Sequence, residues 1–353
     1  MWEERGLFDR EVGYYQALRR RIGDIVFVTY DTPNPELEQL QQRVSLITVL
    51  TNHLRLHCFL YSILAPIIHR KSLRHAAVFK SNQLSGAWTA AIASLVYRKP
   101  LVVRCGYVDS LWRQRQGQRG LRFWTAFLLE RLSVRVADMV FTASEADRQY
   151  LSSTHGVPSD RIYVIPNPID TDRFYPAPEK AEPGTVLYVG RFSEQKNVHL
   201  LVEACERIPE AKLTLVGSGP LEPKLRRLAN PEKVTFAGVV PNRHLPAVLQ
   251  RAQVFVLPSQ YEGTPKALLE AMACGLAVVG TNVPGIRELI QDGVNGLLCE
   301  PDVKAISEAI ARLLNDAELR ARLGRAARRF VEERYAQSKV VETEARLLTT
   351  LMA

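Results

Sequence analysis

The sequence predicts a two-domain α/β protein in which each domain is built on a doubly wound, largely parallel sheet. Short apolar strands alternate with amphipathic helices along the chain, which is the pattern of βαβ units. The chain has 353 residues, enough for two domains that each bury a core. A stretch rich in turn residues separates the halves. We therefore expect domains over residues 1–165 and 185–334, a linker over 166–184 and a final helix over 335–353.

The composition is that of a soluble globular protein, with 46% hydrophobic and 24% charged residues. The five cysteines are scattered and mostly lie in apolar segments, which indicates reduced core residues of a cytosolic protein. Residues 1–5 are acidic and carry no hydrophobic segment, so a signal peptide is not expected. The apolar run over residues 54–68 is interrupted by Arg55, His57 and Pro66 and falls short of the ~18 residues of a membrane span.

The positive charge is concentrated in the first half. The formal net charge is +9, of which +7 falls in residues 1–170. No acidic residue stands between Glu38 and Asp109, whereas nine basic residues do. Such a field attracts anionic lipid, a phosphorylated acceptor or nucleic acid. Scattered surface charge without a function is the alternative, and no nucleic-acid-binding module is recognisable.

The first half is expected to begin with a helix over residues 3–21. Strands are predicted at 24–29, 44–49, 76–80, 101–104, 138–142 and 161–165, and helices at 54–69, 85–97, 118–135 and 144–154. Ligands of such sheets bind beyond the carboxyl ends of the strands. The polar residues Asn82 and Gln83 follow a strand, so we expect them at the ligand-binding edge.

Basic and aromatic residues interleave between Arg113 and Arg135, around Trp112, Trp124 and Phe127. This pattern is typical of a helix that lies on a membrane surface. A buried amphipathic helix with a solvated basic face gives the same pattern.

The second half continues the alternation. Strands are predicted at 186–190, 212–216, 235–240, 254–257, 277–280 and 295–298, and helices around 284–290 and over 302–315, 317–333 and 335–352. Arg191 and Lys196 stand just beyond the Gly190 end of the first strand, where cations can bind a diphosphate. Loop salt bridges are the alternative. Gly217 and Gly219 follow the second strand and allow a ligand to approach the backbone closely.

The stretch over residues 257–275 carries the strongest candidate site. A buried strand ends at Leu257, and a loop then leads through Glu262 into a helix with Pro265 at its first position and Thr264 as its cap. Free amides and the positive end of the helix dipole at residues 263–266 would bind an anion. Glu262 precedes that anion site and Glu270 follows it. An ordinary helix start with two incidental glutamates remains the alternative.

The stretch SxxEGTPKALLEAMACG, with VGRFSEQKN at 189–197 and LTLVGSGP at 213–220, resembles the donor half of glycosyltransferase family 4. Members of that family are retaining enzymes of the GT-B fold, in which two Rossmann-like domains face each other across a cleft and the donor is a nucleotide-sugar. The resemblance implies that Arg191 and Lys196 bind the diphosphate, Glu262 contacts the transferred sugar and Glu270 binds the ribose. It implies a donor site comprising Gly190, Arg191, Lys196, Gly217, Gly219, Val240, Glu262, Gly263, Thr264, Pro265, Lys266, Leu268 and Glu270.

The first half departs from this family in two respects. Relatives usually open with an apolar strand and a Gly-rich turn, which are absent before Trp2, so the start is either truncated or rearranged. Many relatives also carry a catalytic His where this chain reads VRCGY over residues 103–107. Arg104 and Tyr107 are weak substitutes, which with Asn82 and Gln83 form the expected acceptor side. Pro168 replaces the usual Gly of the family's hinge, and the final helix of relatives crosses back onto the first domain.

We therefore expect a retaining glycosyltransferase that moves a sugar from a nucleotide diphosphate sugar to a hydroxyl of a lipid-linked or glycan precursor. The alternative is a catalytically inactive protein that binds a nucleotide-sugar or anionic lipid. No metal is expected, since the one Asp-x-Asp, at 170–172, lies in the linker and the basic residues can replace a cation. We expect no further cofactor, no nucleic-acid partner, and a cytoplasmic location, peripheral on the inner face of the cell membrane.

Overall fold

A computed structural model describes residues 7–34, 47–106, 108, 110, 120–177, 179 and 181–352. Within these residues the chain forms two compact units. The N-terminal unit comprises 12–166 and 340–352, and the C-terminal unit comprises 7–11 and 167–339. Tyr107 and residues 111–119, which include Trp112 and Arg113, lie outside the described residues.

The elements of the first half follow the predicted alternation. The helices are α1 (Leu7–Ile22), α2 (Cys58–Ile68), α3 (Arg70–Leu73), α4 (Ala87–Tyr97), α5 (Leu121–Val136) and α6 (Glu145–Tyr150). The strands are β1 (Ile25–Val28), β2 (Ile47–Leu50), β3 (Phe79–Lys80), β4 (Leu101–Cys105), β5 (Met139–Thr142) and β6 (Ile162–Val164). A single 3₁₀ turn, Leu84–Gly86, precedes α4, and a π-helical turn, Leu151–His155, continues α6.

The strands of the N-terminal unit do not form one continuous ladder in the described residues. β3 to β6 form a four-stranded parallel sheet in the order β3-β4-β5-β6, whereas β1 and β2 pair only with each other. β3 has only two residues, so its outer edge offers few backbone groups for a further strand. The sequence predicted a single sheet here, and the shortness of β3 accounts for the difference.

Helices α2, α4 and α5 cover one face of this sheet. α4 and α5 each connect two neighbouring parallel strands of this sheet, and such connections are almost always right-handed, so these two helices lie on the same side. α2 belongs to the same layer because it packs against α4. α2 and α4 run parallel to each other. Pairs along their length show this: Phe59 packs against Trp88 with ring centroids 5.4 Å apart, Thr89 donates to the carbonyl of Ser62 at 2.9 Å, and Tyr97 donates to that of Pro66 at 2.6 Å.

The second half contains the larger sheet. Its strands are β7 (Thr185–Val189), β8 (Lys212–Val216), β9 (Val234–Gly238), β10 (Val254–Leu257), β11 (Ala277–Thr281) and β12 (Leu297–Cys299). Its helices are α7 (Val198–Glu206), α8 (Glu222–Leu228), α9 (Leu245–Leu249), α10 (Lys266–Ala273), α11 (Val303–Asn315) and α12 (Ala317–Arg334), and the chain ends with α13 (Gln337–Met352).

The six strands are parallel, in the order β12-β11-β10-β7-β8-β9. The connections leave β7 in one direction through β8 to β9 and then return to β10 on its other side, which makes the space between β7 and β10 the switch point of the sheet. Ligands of doubly wound sheets bind outside the carboxyl ends of the strands at such a point. The loops after β7 and β10, at 190–197 and 258–265, border it. Beneath them lies a dry core that includes Leu187, Phe255 and Leu269.

The predicted helix at 284–290 is wrong. The segment consists of turns, in which the amide of Arg287 bonds to the carbonyl of Val283 and the amide of Ile290 to that of Ile286. Gly285 has a φ of +84°, outside the helical range. A Cβ there would lie 2.2 Å from the carbonyl oxygen of Gly263, so the turn is shaped by its contact with the loop that carries Glu262.

No helix in the described part of the chain combines the length and the apolar character that a membrane crossing requires.

Candidate active site

The site is built where the loops after β7 and β10 are joined at the switch point. The amide of Gln260 donates to the carbonyl of Gln195 at 2.8 Å, and the Gln195 side chain donates to the carbonyl of Tyr261 at 2.9 Å. Gln260 also donates through its side chain to Asn197, which adopts a left-handed conformation at φ 47°. Three hydrogen bonds therefore fix one loop against the other and set the positions of their charged residues.

Glu262 lies at the centre of this junction. It is only 7% exposed, and its Oε1 accepts a 2.6 Å hydrogen bond from Ser259 and pairs with the ammonium group of Lys196. The carbonyl of Ser259 in turn accepts from Thr281 at 2.5 Å. A buried carboxylate is tolerated only with such partners. Two residues predicted to act on different parts of a donor are thus in direct contact, which the sequence did not indicate.

Tyr188 lies under the same loops at the end of β7. Its hydroxyl donates to the carbonyl of Arg191 at 3.0 Å. Burial, together with the charge of Glu262, raises the pKa of Tyr188 well above its usual value. Tyr188 is therefore a neutral donor that holds the loop after β7, and a Cβ at Gly190 would lie 2.6 Å from its hydroxyl.

Arg191 differs from Lys196 in being available. Its side chain is exposed, and the guanidinium group forms no hydrogen bond or ion pair with another residue that the structure describes. Only its backbone carbonyl accepts a hydrogen bond from Tyr188. A guanidinium group of this kind can bind a phosphate in bidentate fashion.

Gly217 and Gly219 have a different role from the predicted one. Gly217 has a φ of +133°, and a Cβ there would lie 1.9 Å from the carbonyl oxygen of Gly190. A Cβ on Gly219 would lie 2.3 Å from that of Phe192. The amide of Phe192 also donates to the carbonyl of Ser218 at 3.0 Å. These glycines let the loops after β7 and β8 pack together, rather than leaving space for a ligand at their own α-carbons.

The start of α10 is open. The residue preceding the helix is Pro265, which offers no capping side chain, so the predicted cap at Thr264 is not formed and Pro265 lies before the first helical residue instead of at it. No atom lies within 4 Å of where a Cβ on Gly263 would be. The first amides of a helix have no partner within it and carry partial positive charge. An anion could therefore approach the backbone at 263–266.

Glu270 lies one turn further along α10 and is 4% exposed. Its Oε1 accepts a hydrogen bond from the side-chain Nδ2 of Asn242 at 3.1 Å, and the side-chain Oδ1 of Asn242 accepts in turn from the guanidinium group of Arg173. Arg173 is placed by Asp170, whose Oδ1 accepts from the Arg173 amide at 3.1 Å. Glu270 is thus oriented by a chain of polar residues that reaches the segment after Pro168.

The remaining predicted donor residues contribute in other ways. Leu268 is fully buried in the core, so its side chain is not available to a ligand. Val240 is partly buried against the same core. Lys266 is the first residue of α10. Among the described residues no group of three or more His, Cys, Asp or Glu side chains is arranged to hold a metal ion.

The predicted acceptor side is only partly as expected. Asn82 and Gln83 are exposed at the end of β3, where Asn82 accepts from Tyr15 at 2.5 Å. Arg104 is buried instead, and its guanidinium lies 3.4 Å from Glu344 on α13 and donates to the carbonyl of Ile165. Arg104 is therefore part of an internal ion cluster, which removes it as a residue that meets an acceptor. Tyr107 lies outside the described residues.

Sequence reasoning missed Ser259, Asn242, Arg173 and Arg328. Ser259 carried a weak signal, because it is the second residue after a buried strand that ends beside the site. Arg328 donates to the carbonyls of Ala273 at 2.7 Å and Thr171 at 3.0 Å, and so fixes the end of α10. Because Arg328 is far along the chain from Ala273 and Thr171, no local sequence pattern indicates these contacts.

Two family models match the chain. One described as "Glycosyl transferases group 1" matches residues 171–330, and one described as "Glycosyltransferase Family 4" matches residues 14–173. α-Maltose-1-phosphate synthase of Mycolicibacterium smegmatis is 32% identical over 282 residues, or 71% of this chain and 73% of that protein. A putative colanic acid biosynthesis glycosyltransferase of Escherichia coli is 34% identical over 214 residues, or 56% of this chain and 53% of that protein.

Solved structures share the architecture. Sucrose-phosphate synthase of Thermosynechococcus elongatus superposes with a TM-score of 0.81 at 23% identity, covering 98% of this chain and 92% of that one. The Anabaena protein HepE, solved in complex with UDP, gives 0.79 at 21% identity, covering 99% of this chain and 96% of that one. These likenesses show the fold, and the family models and the mycobacterial relative show the family. The chain is a GT-B-fold enzyme and belongs to glycosyltransferase family 4.

Proposed function

We propose that this enzyme transfers a sugar from a nucleoside diphosphate sugar to a hydroxyl acceptor with retention of the anomeric configuration. The donor would bind to the C-terminal unit, with its diphosphate between Arg191 and the start of α10. HepE has been solved with UDP and with UDP-glucose, so uridine diphosphate sugars are the first donors to test.

The contact between Glu262 and Lys196 at the switch point carries this proposal. It places a carboxylate and an ammonium group side by side, next to an open helix start and an unpaired arginine. When a glycosidic bond to a diphosphate breaks, negative charge grows on the leaving oxygens and positive charge on the sugar ring. Arg191, Lys196 and the helix start would supply positive charge for the leaving oxygens, and Glu262, which contacts Lys196, would supply negative charge for the sugar ring.

Each of the predicted roles has a counterpart in this arrangement. Arg191, Lys196 and the amides of α10 would stabilise the leaving diphosphate, so that the site would need no metal ion. Glu262 would orient the transferred sugar and stabilise its developing charge. Glu270, held in place by Asn242, would accept hydrogen bonds from the ribose hydroxyls. Retention is proposed from the resemblance to the family and not from any one of these contacts.

The acceptor side is proposed on charge. The first half carries most of the net positive charge and no acidic residue between Glu38 and Asp109. A lipid-linked or phosphorylated glycan precursor at an anionic membrane surface suits such a field better than a neutral sugar in solution. The colanic acid relative is named for a polysaccharide pathway, which agrees with a glycan acceptor.

The experiment is a turnover assay with several UDP-sugars, followed by NMR of the product's anomeric proton. UDP release that depends on an added lipid-linked or oligosaccharide acceptor, with the donor's anomeric configuration in the product, is the expected result. An inverted product would refute retention. Tight donor binding without any release of UDP would instead favour a catalytically inactive nucleotide-sugar binding protein.

A further inference from the structure

The outward face of α5 is apolar along its whole length. Leu121, Trp124, Leu128, Leu132 and Val136 recur every three or four residues and are between 53% and 81% exposed. That spacing places them on one side of a helix. In a surface helix this side is normally polar, so the apolar face of α5 lacks a partner among the residues that the structure describes.

The inward face of the same helix is unusually polar. Glu130 and Ser133 are each 5% exposed, and Glu130 accepts from the amide of Ser110 at 3.1 Å. Arg131 and Arg135 donate to the carbonyls of Thr154 and His155 at 3.1 Å each. Arg131 is half-buried and Arg135 is exposed, while the leucines of the helix are outside. These exposed leucines favour a surface helix over a buried amphipathic helix with a solvated basic face.

The apolar surface extends over the two neighbouring helices. α4 packs against both α2 and α5 in the same layer. Exposed apolar side chains on α2 and α4 are Phe59 (61%), Leu60 (46%), Ile67 (63%), Leu95 (73%) and Val96 (53%). We call the solvent side of α2, α4 and α5 the helix-layer face. Large apolar side chains exposed together on adjacent helices indicate an interaction site.

The helices of this face carry little negative charge, and the exposed Asp138 follows the last of them. Glu130 is the single acidic residue in α2, α4 and α5, and it is buried. Exposed basic residues follow the C-terminal ends of α2 and α4: Arg70, Lys71, Arg74, Arg98 and Lys99. None of these five forms an ion pair with a residue that the structure describes. Since α2 and α4 run parallel, their basic ends lie at the same edge of the face.

We propose that the helix-layer face lies on an anionic lipid bilayer, with its leucine, phenylalanine and tryptophan side chains in the interface and its basic edge on the headgroup phosphates. This inference rests on the proposed function, in which the enzyme works at an anionic membrane surface, and it names the residues that would form the attachment. An apolar helix face bordered by Lys and Arg with an aromatic residue is the pattern of interfacial binding.

A second copy of the chain is a poorer occupant. A two-fold dimer brings the same patch against itself, so the positive charge of one copy would not meet a complementary negative patch by design of the symmetry. A bilayer supplies both the apolar layer and the negative charge. Docking on this face also leaves the carboxyl-end edge of β3 to β6 uncovered, where Asn82 and Gln83 lie, because the helix layer and the strand ends are different sides of the unit.

The test is co-sedimentation of the full chain with phosphatidylcholine vesicles and with vesicles that also contain phosphatidylglycerol. The double variant Leu128→Gln/Leu132→Gln should reduce binding to the anionic vesicles on the order of tenfold, since it removes two apolar side chains from the interface. Leu228→Gln/Val294→Gln is the matched control, because these residues are 41% and 46% exposed in the C-terminal unit. The control should bind like the wild type.

A second variant and a spectroscopic signal separate the two parts of the surface. Arg98→Gln/Lys99→Gln should reduce binding by roughly 25-fold at low salt, because each basic side chain contributes about fivefold to binding at an anionic surface, and should have little effect at high salt. A blue shift of tryptophan emission on adding anionic vesicles, lost in Trp124→Phe, would place the indole in the interface.

Three results would overturn the inference. The first is equal binding to neutral and anionic vesicles, and the second is unchanged binding of the Leu128→Gln/Leu132→Gln variant. The third is a wild-type dimer that this variant converts to monomer without loss of vesicle binding. UDP binding, measured on the same preparations, distinguishes this failure from that of the proposed function. A protein that docks but binds no nucleotide refutes the latter alone.

Discussion

The two units both carry basic side chains at the carboxyl ends of parallel strands, but they use them differently. In the C-terminal unit Arg191 is exposed, and Lys196, 20% exposed, is paired with a carboxylate of its own site. In the N-terminal unit the Lys80 and Arg104 side chains are 13% and 10% exposed, and both pair with Glu344, which is fully buried. Arg191 therefore faces solvent, whereas Lys80 and Arg104 are neutralised inside the protein.

The carboxylate that a distant helix supplies accounts for this difference. Glu344 contacts Lys80 at 2.8 Å, Arg104 at 3.4 Å and the hydroxyl of Tyr14 at 2.5 Å. Burial opposes the charges of this cluster, but Glu344 raises the pKa of Lys80, while Lys80 and Arg104 lower the pKa of Glu344. A buried basic residue at a strand end, such as Arg104, is therefore held by an internal carboxylate, whereas an exposed one, such as Arg191, is available to a ligand anion.

Removing Glu344 should have the largest effect. Glu344→Ala leaves Lys80 and Arg104 buried without their counter-charge, and we expect the free energy of unfolding to fall by about 3–5 kcal/mol. Three of the four tryptophans fall between residues 12 and 166 and none follows residue 166, so urea unfolding followed by tryptophan fluorescence reports mainly on this unit. The control is Glu342→Ala, an exposed glutamate on the same helix. Equal stability of the two variants would show that the cluster is not stabilising.

The two glutamates of the C-terminal unit should separate in steady-state kinetics. Glu262→Gln keeps the side-chain volume but removes the charge, and we expect kcat to fall by roughly 10²–10³-fold, the effect of losing one preorganised transition-state contact. Glu270→Gln should mainly raise KM for the donor, because a ribose contact is present before and during the reaction. Full turnover by Glu262→Gln, or the same pattern in both variants, would mean that these residues only shape the helix start.

Arg191→Ala should weaken binding of the nucleoside diphosphate by about 1.5–3 kcal/mol, the value of a charged hydrogen bond. Arg207→Ala, an exposed arginine of the same unit at the end of α7, should bind as the wild type does. Isothermal titration with UDP measures both. Lys196→Ala should also weaken binding, but it removes the partner of Glu262 as well, so only Arg191 isolates the phosphate contact. Unchanged affinity in Arg191→Ala would contradict the assignment.

The smallest effect is a pH dependence of the N-terminal unit. The pKa of Glu344 is lowered in the folded protein, so its stabilising contribution is complete above the unfolded pKa of about 4.3 and is lost as pH falls through the lower folded value. Glu344→Gln cannot titrate. We therefore expect the stability difference between wild type and Glu344→Gln to shrink as the pH is lowered below about 4. Urea unfolding at several pH values tests this, and a constant difference would contradict it.

Much of the fold could be predicted because its signals are local. The strands at 212–216 and 254–257 match their predicted bounds, and most other elements agree to within a few residues, since apolar periodicity and turn residues act over short distances. The family could be inferred for the same reason: the Glu-x7-Glu motif and the two strand-end motifs are contiguous in sequence. The open start of α10 also follows from one short stretch.

What the sequence could not show depended on a distant segment in each case. The turn at Gly285 is shaped by the loop at 262–263, and Gly217 by Gly190. Arg104 became an internal residue because Glu344, 240 positions later, packs against it. The sequence of α5 is compatible with a buried or an exposed face, and only the packing of α4 and of residues 154–155 decides which side is outside. Local sequence carries propensity and pattern, whereas burial and charge pairing are properties of two surfaces at once, so the tertiary structure alone could assign them.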